Sequence, residues 1–300
     1  MKNRTLLRAL WPGLLGWCIL LGGLTPGNPG LFAIDWPSAD AKMTGNFGRN
    51  DEGRPLLGVV FEGPGPIRAA DQGELLYAHS EGDTASRLPS PLGAWIALDH
   101  GDGIVSIYSR FEEPGANGPA DTIHPGRVIA SAGQSGWSRR EGFYFSVFDR
   151  KERRWINPSM IITPQAETEQ PLIQSVELKN DEGQSLNPAQ VRNISQGHYT
   201  ILVNASVSPP EGEPSLAPYR ILCSVNGIEI GALNFETFAA RDGALMVYRN
   251  GLVPVKQVYA PYPGFEVGEI WFTRGQATLE VIAQGIRGTT RSLTFRLQVD

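Results

Sequence analysis

The clearest pattern along the chain is a period of two. Tyr199, Ile201, Val203, Ala205 and Val207 fall on one side of an extended segment, and Thr200, Leu202, Asn204 and Ser206 fall on the other. Leu279, Val281 and Ala283 repeat the alternation, as do Leu293, Phe295, Leu297 and Val299. Successive strand side chains point to opposite faces, so this pattern predicts strands rather than helices. Asn226-Gly227 lies between the apolar runs 222–225 and 228–230 and predicts a two-residue hairpin turn, which needs positive φ. About seven such strands within residues 172–300 predict a β-sandwich.

Residues 35–164 form an earlier group of apolar segments separated by Gly, Pro, Asn and Asp, with no convincing amphipathic helix. The polar segment 165–171, which ends in proline, predicts a linker. The expected fold is therefore all-β, with a strand-rich domain at 35–164 and a sandwich at 172–300. The 35 glycines and 23 prolines suit many short strands joined by tight turns. With 41% hydrophobic and 19% charged residues, the chain has the material for packed cores.

The N-terminus changes the picture of where the chain works. Lys2, Arg4 and Arg8 precede an apolar stretch at 9–24, and a Gly/Pro-rich run follows to Ala33, so residues 1–33 read as an export signal. The stretch has 16 residues and contains Pro12. That is shorter than the about 20 residues a membrane span requires. The alternative is an uncleaved N-terminal membrane anchor, since no charge separates Arg8 from Asp35. Either way the chain is expected in the periplasm or cell envelope. Cys18, after Leu15-Gly16-Trp17, sits in a loose lipoprotein-like string, but the bulky Trp17 and the apolar residues beyond argue against lipidation. Removing Lys2, Arg4 and Arg8 from 26 basic residues leaves 23 against 31 acidic, a net charge of −8. No basic footprint for nucleic acid is present. Two cysteines make neither a disulfide framework nor a thiolate metal cluster, and Cys223, in an apolar run, is expected in the core.

Short strings in the first group fall in a fixed order: Phe47-Gly48-Arg49, Leu57-Gly58-Val59-Val60-Phe61, the run 69–77 and the run 93–103. Ile107-Tyr108-Ser109-Arg110-Phe111, Pro125-Gly126-Arg127-Val128, Gly133-Gln134-Ser135-Gly136, Phe143-Tyr144-Phe145-Ser146-Val147 and Ile156-Asn157-Pro158 follow. In this order and spacing, from Trp36 to about Ile162, they resemble the lysostaphin/LytM family of zinc endopeptidases, which cut peptidoglycan cross-bridges. The resemblance implies an antiparallel LytM-type sheet with an open groove, of the duplicated-hybrid-motif kind. The C-terminal sandwich resembles immunoglobulin-like modules of bacterial surface proteins in outline, without their paired cysteines.

The resemblance also implies where a metal would sit. Zinc in such enzymes takes imidazole and carboxylate ligands and lowers the pKa of a bound water to about 7. The family's His-x-Gly-x-Asp string here reads Leu56-Leu57-Gly58-Val59-Val60, so Leu56 and Val60 stand at ligand positions. The His-x-His string reads Gly142-Phe143-Tyr144, which puts Tyr144 at the third ligand and Gly142 at a catalytic histidine. The remaining catalytic histidine is Arg110. Leu56 and Val60 offer no lone pair, and Arg110 is a permanent cation that repels zinc and favours a carboxylate. The expectation is a pseudoenzyme with no catalytic residue, no metal and no cofactor. Leu56, Val60, Arg110, Gly142 and Tyr144 would line a vacated binding groove.

Other candidates are weaker. His79, His100, His124 and His198 are far apart in sequence, although His100 with Asp99 or Asp102 could form a relocated zinc site. Gly133-Gln134-Ser135-Gly136-Trp137 lacks the closing glycine of a nucleophile elbow and reads as a turn. Glu112-Glu113 and Asp35 supply carboxylates without a defined pair. Trp95, Tyr108, Trp137, Phe143, Tyr144, Phe145 and Trp155 are expected to alternate between core and groove wall. Degenerate LytM relatives are known to activate cell-wall amidases, so the resemblance implies a regulator that binds an amidase-like peptidoglycan hydrolase. The alternatives are a structural protein that binds peptidoglycan itself and an active zinc endopeptidase with exchanged ligands.

Overall fold

The computed structural model describes residues 35–81, 90–114, 122–162, 170–208, 215–259 and 264–300; the expected export signal and residues 165–169 of the expected linker lie outside them. Apart from two short 3-10 turns, the regular structure in these residues is β-strand. In the first group the main strands are β1 (Lys42–Gly45), β2 (Val59–Glu62), β3 (Gly73–His79), β4 (Ala94–Asp99), β5 (Ile104–Phe111), β6 (Gly142–Asp149) and β7 (Arg154–Ile156). In the second they are β8 (Gln170–Asn180), β9 (Gly197–Ser208), β10 (Arg220–Val225), β11 (Ile228–Arg241), β12 (Ala244–Arg249), β13 (Phe265–Phe272), β14 (Gly275–Gln284) and β15 (Thr290–Val299).

The inward set that the alternation predicts is buried, and Leu202 and Ser206 of the opposite face are covered as well. Tyr199, Ile201, Val203, Ala205 and Val207 are all buried, as are Leu279, Val281 and Ala283. Val225 pairs with Ile228 across the two-residue turn, where Asn226 and Gly227 take φ of 53° and 79°. Both central residues are left-handed, the conformation that Asn-Gly adopts at low cost. Cys223 is fully buried between the sheets, and burial pushes its thiol well above the ordinary range. It is an inert core residue.

The linker expectation needs a correction at its end. Gln170 and Pro171 belong to β8, where Pro171 faces Val207 of β9. Proline is tolerated there because it lies near the start of the strand. The two groups keep separate cores. Val59, Phe61, Ile96, Leu98, Tyr108 and Phe145 belong to the first, and Ile201, Val203, Ile221, Phe235, Phe238 and Leu279 to the second. They nevertheless share one sheet, with strands in the order β15-β14-β10-β11-β7-β6-β5-β4-β3. The junction is antiparallel pairing of β7 with β11, where Arg154, Trp155 and Ile156 face Ala239, Phe238 and Thr237. A second sheet carries β8, β9 and β13 and closes the sandwich.

Tyr108 is buried in the first core, where its hydroxyl accepts from the Ala70 amide at 2.8 Å and lies 3.2 Å from Ser106 Oγ. Burial pushes its phenol up to about 12. An unfolded tyrosine ionises near 10. Between pH 10 and 12 the unfolded chain therefore binds fewer protons than the folded one, so stability falls as pH rises through this window. Tyr108 alone contributes a slope of about 1.4 kcal/mol per pH unit. Buried Tyr144 and Tyr259 act in the same direction. Urea unfolding is expected to show a midpoint that begins to fall between pH 8 and 9, where the Cys223 thiol ionises only in the unfolded chain, and is clearly lower at pH 11.

Candidate functional site

Strand register brings distant residues of the expected groove together. Tyr144 on β6 stands opposite Val60 on β2 and opposite Ser109 on β5. The next residue, Arg110, is the extra residue of a β-bulge. Trp95 pairs with Ser109 and Ala94 with Phe111, leaving Arg110 unmatched on β4. Its amide donates instead to Leu92 O at 2.8 Å, and its φ is 68°. A left-handed non-glycine residue costs roughly 1–2 kcal/mol, and bulges of this kind re-aim a side chain. Here the guanidinium lies over the Tyr144 ring, with Cζ 5.1 Å from the centroid. Contacts of that type are worth about 0.5–2 kcal/mol.

Tyr144 stands at the third ligand position that the resemblance implies. It is buried, and burial raises its phenol far above the ordinary value, against the opposing pulls of Arg110 and a backbone hydrogen bond with Leu57. Its ring also crowds Gly58, where an added Cβ would lie 2.8 Å from Tyr144 Cζ. At Gly142 an added Cβ would lie 2.0 Å from Phe61 O, so this backbone excludes a histidine there. Leu56, Val60 and Arg110 line an open cleft of about 500 Å³, whereas Gly142 and Tyr144 are not part of its lining. The residues do not fit a zinc ion: Leu56 and Val60 lack donor atoms, and Tyr144 could bind metal only as the phenolate that burial disfavours.

The cleft also has residues with no signature in the sequence. Arg49, Asp51 and Glu52 form one wall, and Glu62, Arg139 and Arg140 the other, with Trp137 on the rim at 72% exposure. Arg140 pairs with Glu62 at 2.9 Å, and Arg49 donates to Thr44 O at 2.6 Å. The first wall is clamped by the C-terminal group. Asn46 exchanges two hydrogen bonds with the Ala217 backbone, at 2.9 and 2.7 Å. Phe47 sits in the C-terminal core, 5.0 Å from Phe238. Gly48 O accepts from the buried Tyr259 hydroxyl at 2.7 Å, and Asn50 donates to Gly264 O at 3.2 Å. Leu57 packs on the same core. No local pattern in 46–57 reveals that its partners lie some 200 residues further on.

The other candidates are accounted for by ordinary contacts. His100 has Nδ1 2.7 Å from Gln72 O and Nε2 2.7 Å from Ser106 Oγ, so both nitrogens are engaged. Asp99 pairs with Arg150, and Asp102 with Lys151 at 3.3 Å. His198 pairs with Asp181 at 2.8 Å, which raises its pKa. Among the described residues no group of three or more His, Cys, Asp or Glu side chains could hold a metal ion. Ser135 is buried and accepts from the Ala94 amide at 3.0 Å, as a turn residue does. Glu113 accepts from Ser80, while Glu112 lines a separate depression with Glu81 and Glu141. Trp155 packs against the second core instead of the groove.

Residues 55–158 match the model of peptidase family M23, and a second family model spans residues 170–300. No curated protein matches the chain. Among solved structures, the chain is similar to a mutant catalytic domain of the prophage-encoded M23 protein EnpA from Enterococcus faecalis, at 20% identity over 40% of this chain and 88% of that one, with a TM-score of 0.33. It is also similar to the catalytic domain of lysostaphin from Staphylococcus simulans, at 19% identity over 37% and 81%, with a TM-score of 0.31. A third is the SpoIIQ–SpoIIIAH pore-forming complex, at 15% identity over 44% and 92%, with a TM-score of 0.36. The first strand group is a peptidase M23, LytM-type domain.

The clamp on the 46–57 wall gives a direct test. Tyr259→Phe removes one hydrogen bond and leaves Gly48 O without its partner, a loss of about 1 kcal/mol. Hydrogen exchange at the Gly48 and Leu56 amides, which close the wall's own loop onto Leu56 O and Arg49 O, is expected to quicken about fivefold. Exchange at Phe145 in β6 should stay unchanged. Equal acceleration everywhere would mean that Tyr259 supports the whole fold and not this wall.

Proposed function

We propose that the protein is an exported, non-catalytic M23 homologue of the periplasm or cell envelope, which binds and regulates an amidase-like peptidoglycan hydrolase through its vacated groove. The observation that carries this reading is the filling of the ligand positions by apolar atoms on a retained scaffold. Leu56 and Val60 line the cleft, and neutral, buried Tyr144 stands beside Val60 on the neighbouring strand. A single lost ligand can be replaced by a neighbour, but three side chains without usable donors remove the reason for zinc to bind. The cleft itself persists, and its mixed apolar and charged lining suits a protein surface better than a hydrated ion.

The exposed Trp137 on the rim supports a second reading, a structural protein that holds peptidoglycan in the same cleft, because a flat aromatic face suits a sugar ring. Three measurements separate these readings and the exchanged-ligand peptidase. The signal-free protein, equilibrated with zinc and washed, is expected to retain less than about a tenth of an equivalent of metal; near one equivalent would revive the exchanged-ligand peptidase. Added to amidase and sacculi, the protein is expected to raise hydrolysis, and Val60→Asp, which charges the cleft floor, to abolish that rise. Sedimentation with sacculi in the absence of hydrolase, with no effect on hydrolysis, would favour the structural reading instead.

A further inference from the structure

Three unfavourable features meet at Arg110. Its backbone is held at a φ of 68° in a bulge. Its Nε is buried with no hydrogen-bond partner. Among the described residues no carboxylate lies within ion-pair distance of its guanidinium. Of the four unpartnered buried side-chain polar atoms among the described residues, two are Arg110 Nε and Oγ of the adjacent Ser109. Backbone strain and unsatisfied polar atoms persist where surrounding structure imposes them, and they concentrate at binding sites.

Resting on the docking reading above, we propose that Arg110 is the anion-recognition point of the cleft and that its ligand is an acidic side chain on a partner protein, flanked by a large apolar residue. Nε is buried, so a ligand meets the guanidinium end-on, at the two terminal nitrogens. That fork matches the two oxygens of a carboxylate, which lysine cannot reproduce. The Tyr144 ring holds the group in place from behind. Leu56 and Val60 beside it limit solvent screening and so strengthen the pairing.

The neighbouring charges single out Arg110. Arg140 is committed to Glu62 and Arg49 to Thr44 O. Arg139 is on the exposed rim, where pairing is screened. Asp51 and Glu52 on the opposite wall repel a second acid, so the ligand presents one carboxylate and not a run of them. A volume of about 500 Å³ far exceeds one carboxyl group. Leu56, Val60 and Trp137 leave apolar surface to be covered beside it, and the small methyl groups of an alanine-rich peptide would not fill that space.

The test is a titration of the signal-free chain with blocked peptides, followed by Trp fluorescence. Acetyl-Leu-Glu-amide is expected to bind about tenfold more tightly than acetyl-Leu-Gln-amide. Arg110→Gln should erase that preference, and Arg110→Lys, which keeps the charge but not the fork, should weaken it, while the unfolding temperature holds. Should those variants fold poorly, the side-chain nitrogen resonances of Arg110 in the wild type supply the same readout, moving with the acid and not with the amide. No preference for the acid, or a preference that survives Arg110→Gln, would overturn the proposal. So would tighter binding of acetyl-D-Ala-D-Ala, whose only carboxylate is at the chain end. Hydrolase activation that is equal for wild type and Arg110→Gln would defeat this proposal and leave the regulatory reading standing. An acid preference with no hydrolase activation would do the reverse.

Discussion

The pairing of Arg154–Ile156 with Thr237–Ala239 joins two cores that fold from separate stretches of chain. It places Trp155 beside Phe238 and lets Asn157 bond to the Phe235 and Glu236 carbonyls, each at 2.9 Å. Domains linked only by flexible connectors move relative to one another by default. Here such motion would break backbone hydrogen bonds and withdraw the fully buried Phe47 from the second core. The wall at 46–57 is therefore held by the same contacts that hold the halves together. The sandwich is more than a spacer, since one side of the cleft depends on it.

The groove keeps an M23-type strand ladder around side chains that offer a zinc ion no usable donors. Ladder pairing still brings Val60, Tyr144 and Ser109 side by side, because that pairing depends on backbone groups and not on the ligands. What sets the site's character is the volume and polarity of its side chains. Tyr144 occupies the space, remains a neutral phenol, and presents its ring to Arg110. The close approach of β2 to Gly142 removes even the room for a histidine. These features are coupled: restoring one donor would leave the ring, the guanidinium and the crowded backbone in place.

Much of this was legible in one dimension. A period of two is a local property of a strand with one buried face, so the sandwich strands, the Asn226-Gly227 turn and buried Cys223 could be read directly. The ordered strings identified the M23 domain, and with it the positions of Leu56, Val60, Arg110, Gly142 and Tyr144. Their chemistry also followed from residue type alone, since no arrangement gives leucine or valine a lone pair.

Tertiary structure decided what depends on contacts between distant residues. Gly142 and Tyr144 carry no mark that leaves them out of the cleft lining while Leu56, Val60 and Arg110 belong to it; that depends on the close approach of Phe61 O to Gly142 and on the burial of Tyr144 among its neighbours. The left-handed bulge at Arg110 arises from a one-residue mismatch between strands, which neither strand shows by itself. Asn46, Gly48 and Asn50 find their partners at Ala217, Tyr259 and Gly264. Local sequence determined which segments are strands and which donor atoms the expected ligand positions carry, because propensity and donor atoms are properties of single residues. The shape of the cleft, its charged rim and its dependence on the sandwich arose only when the two cores closed on one sheet.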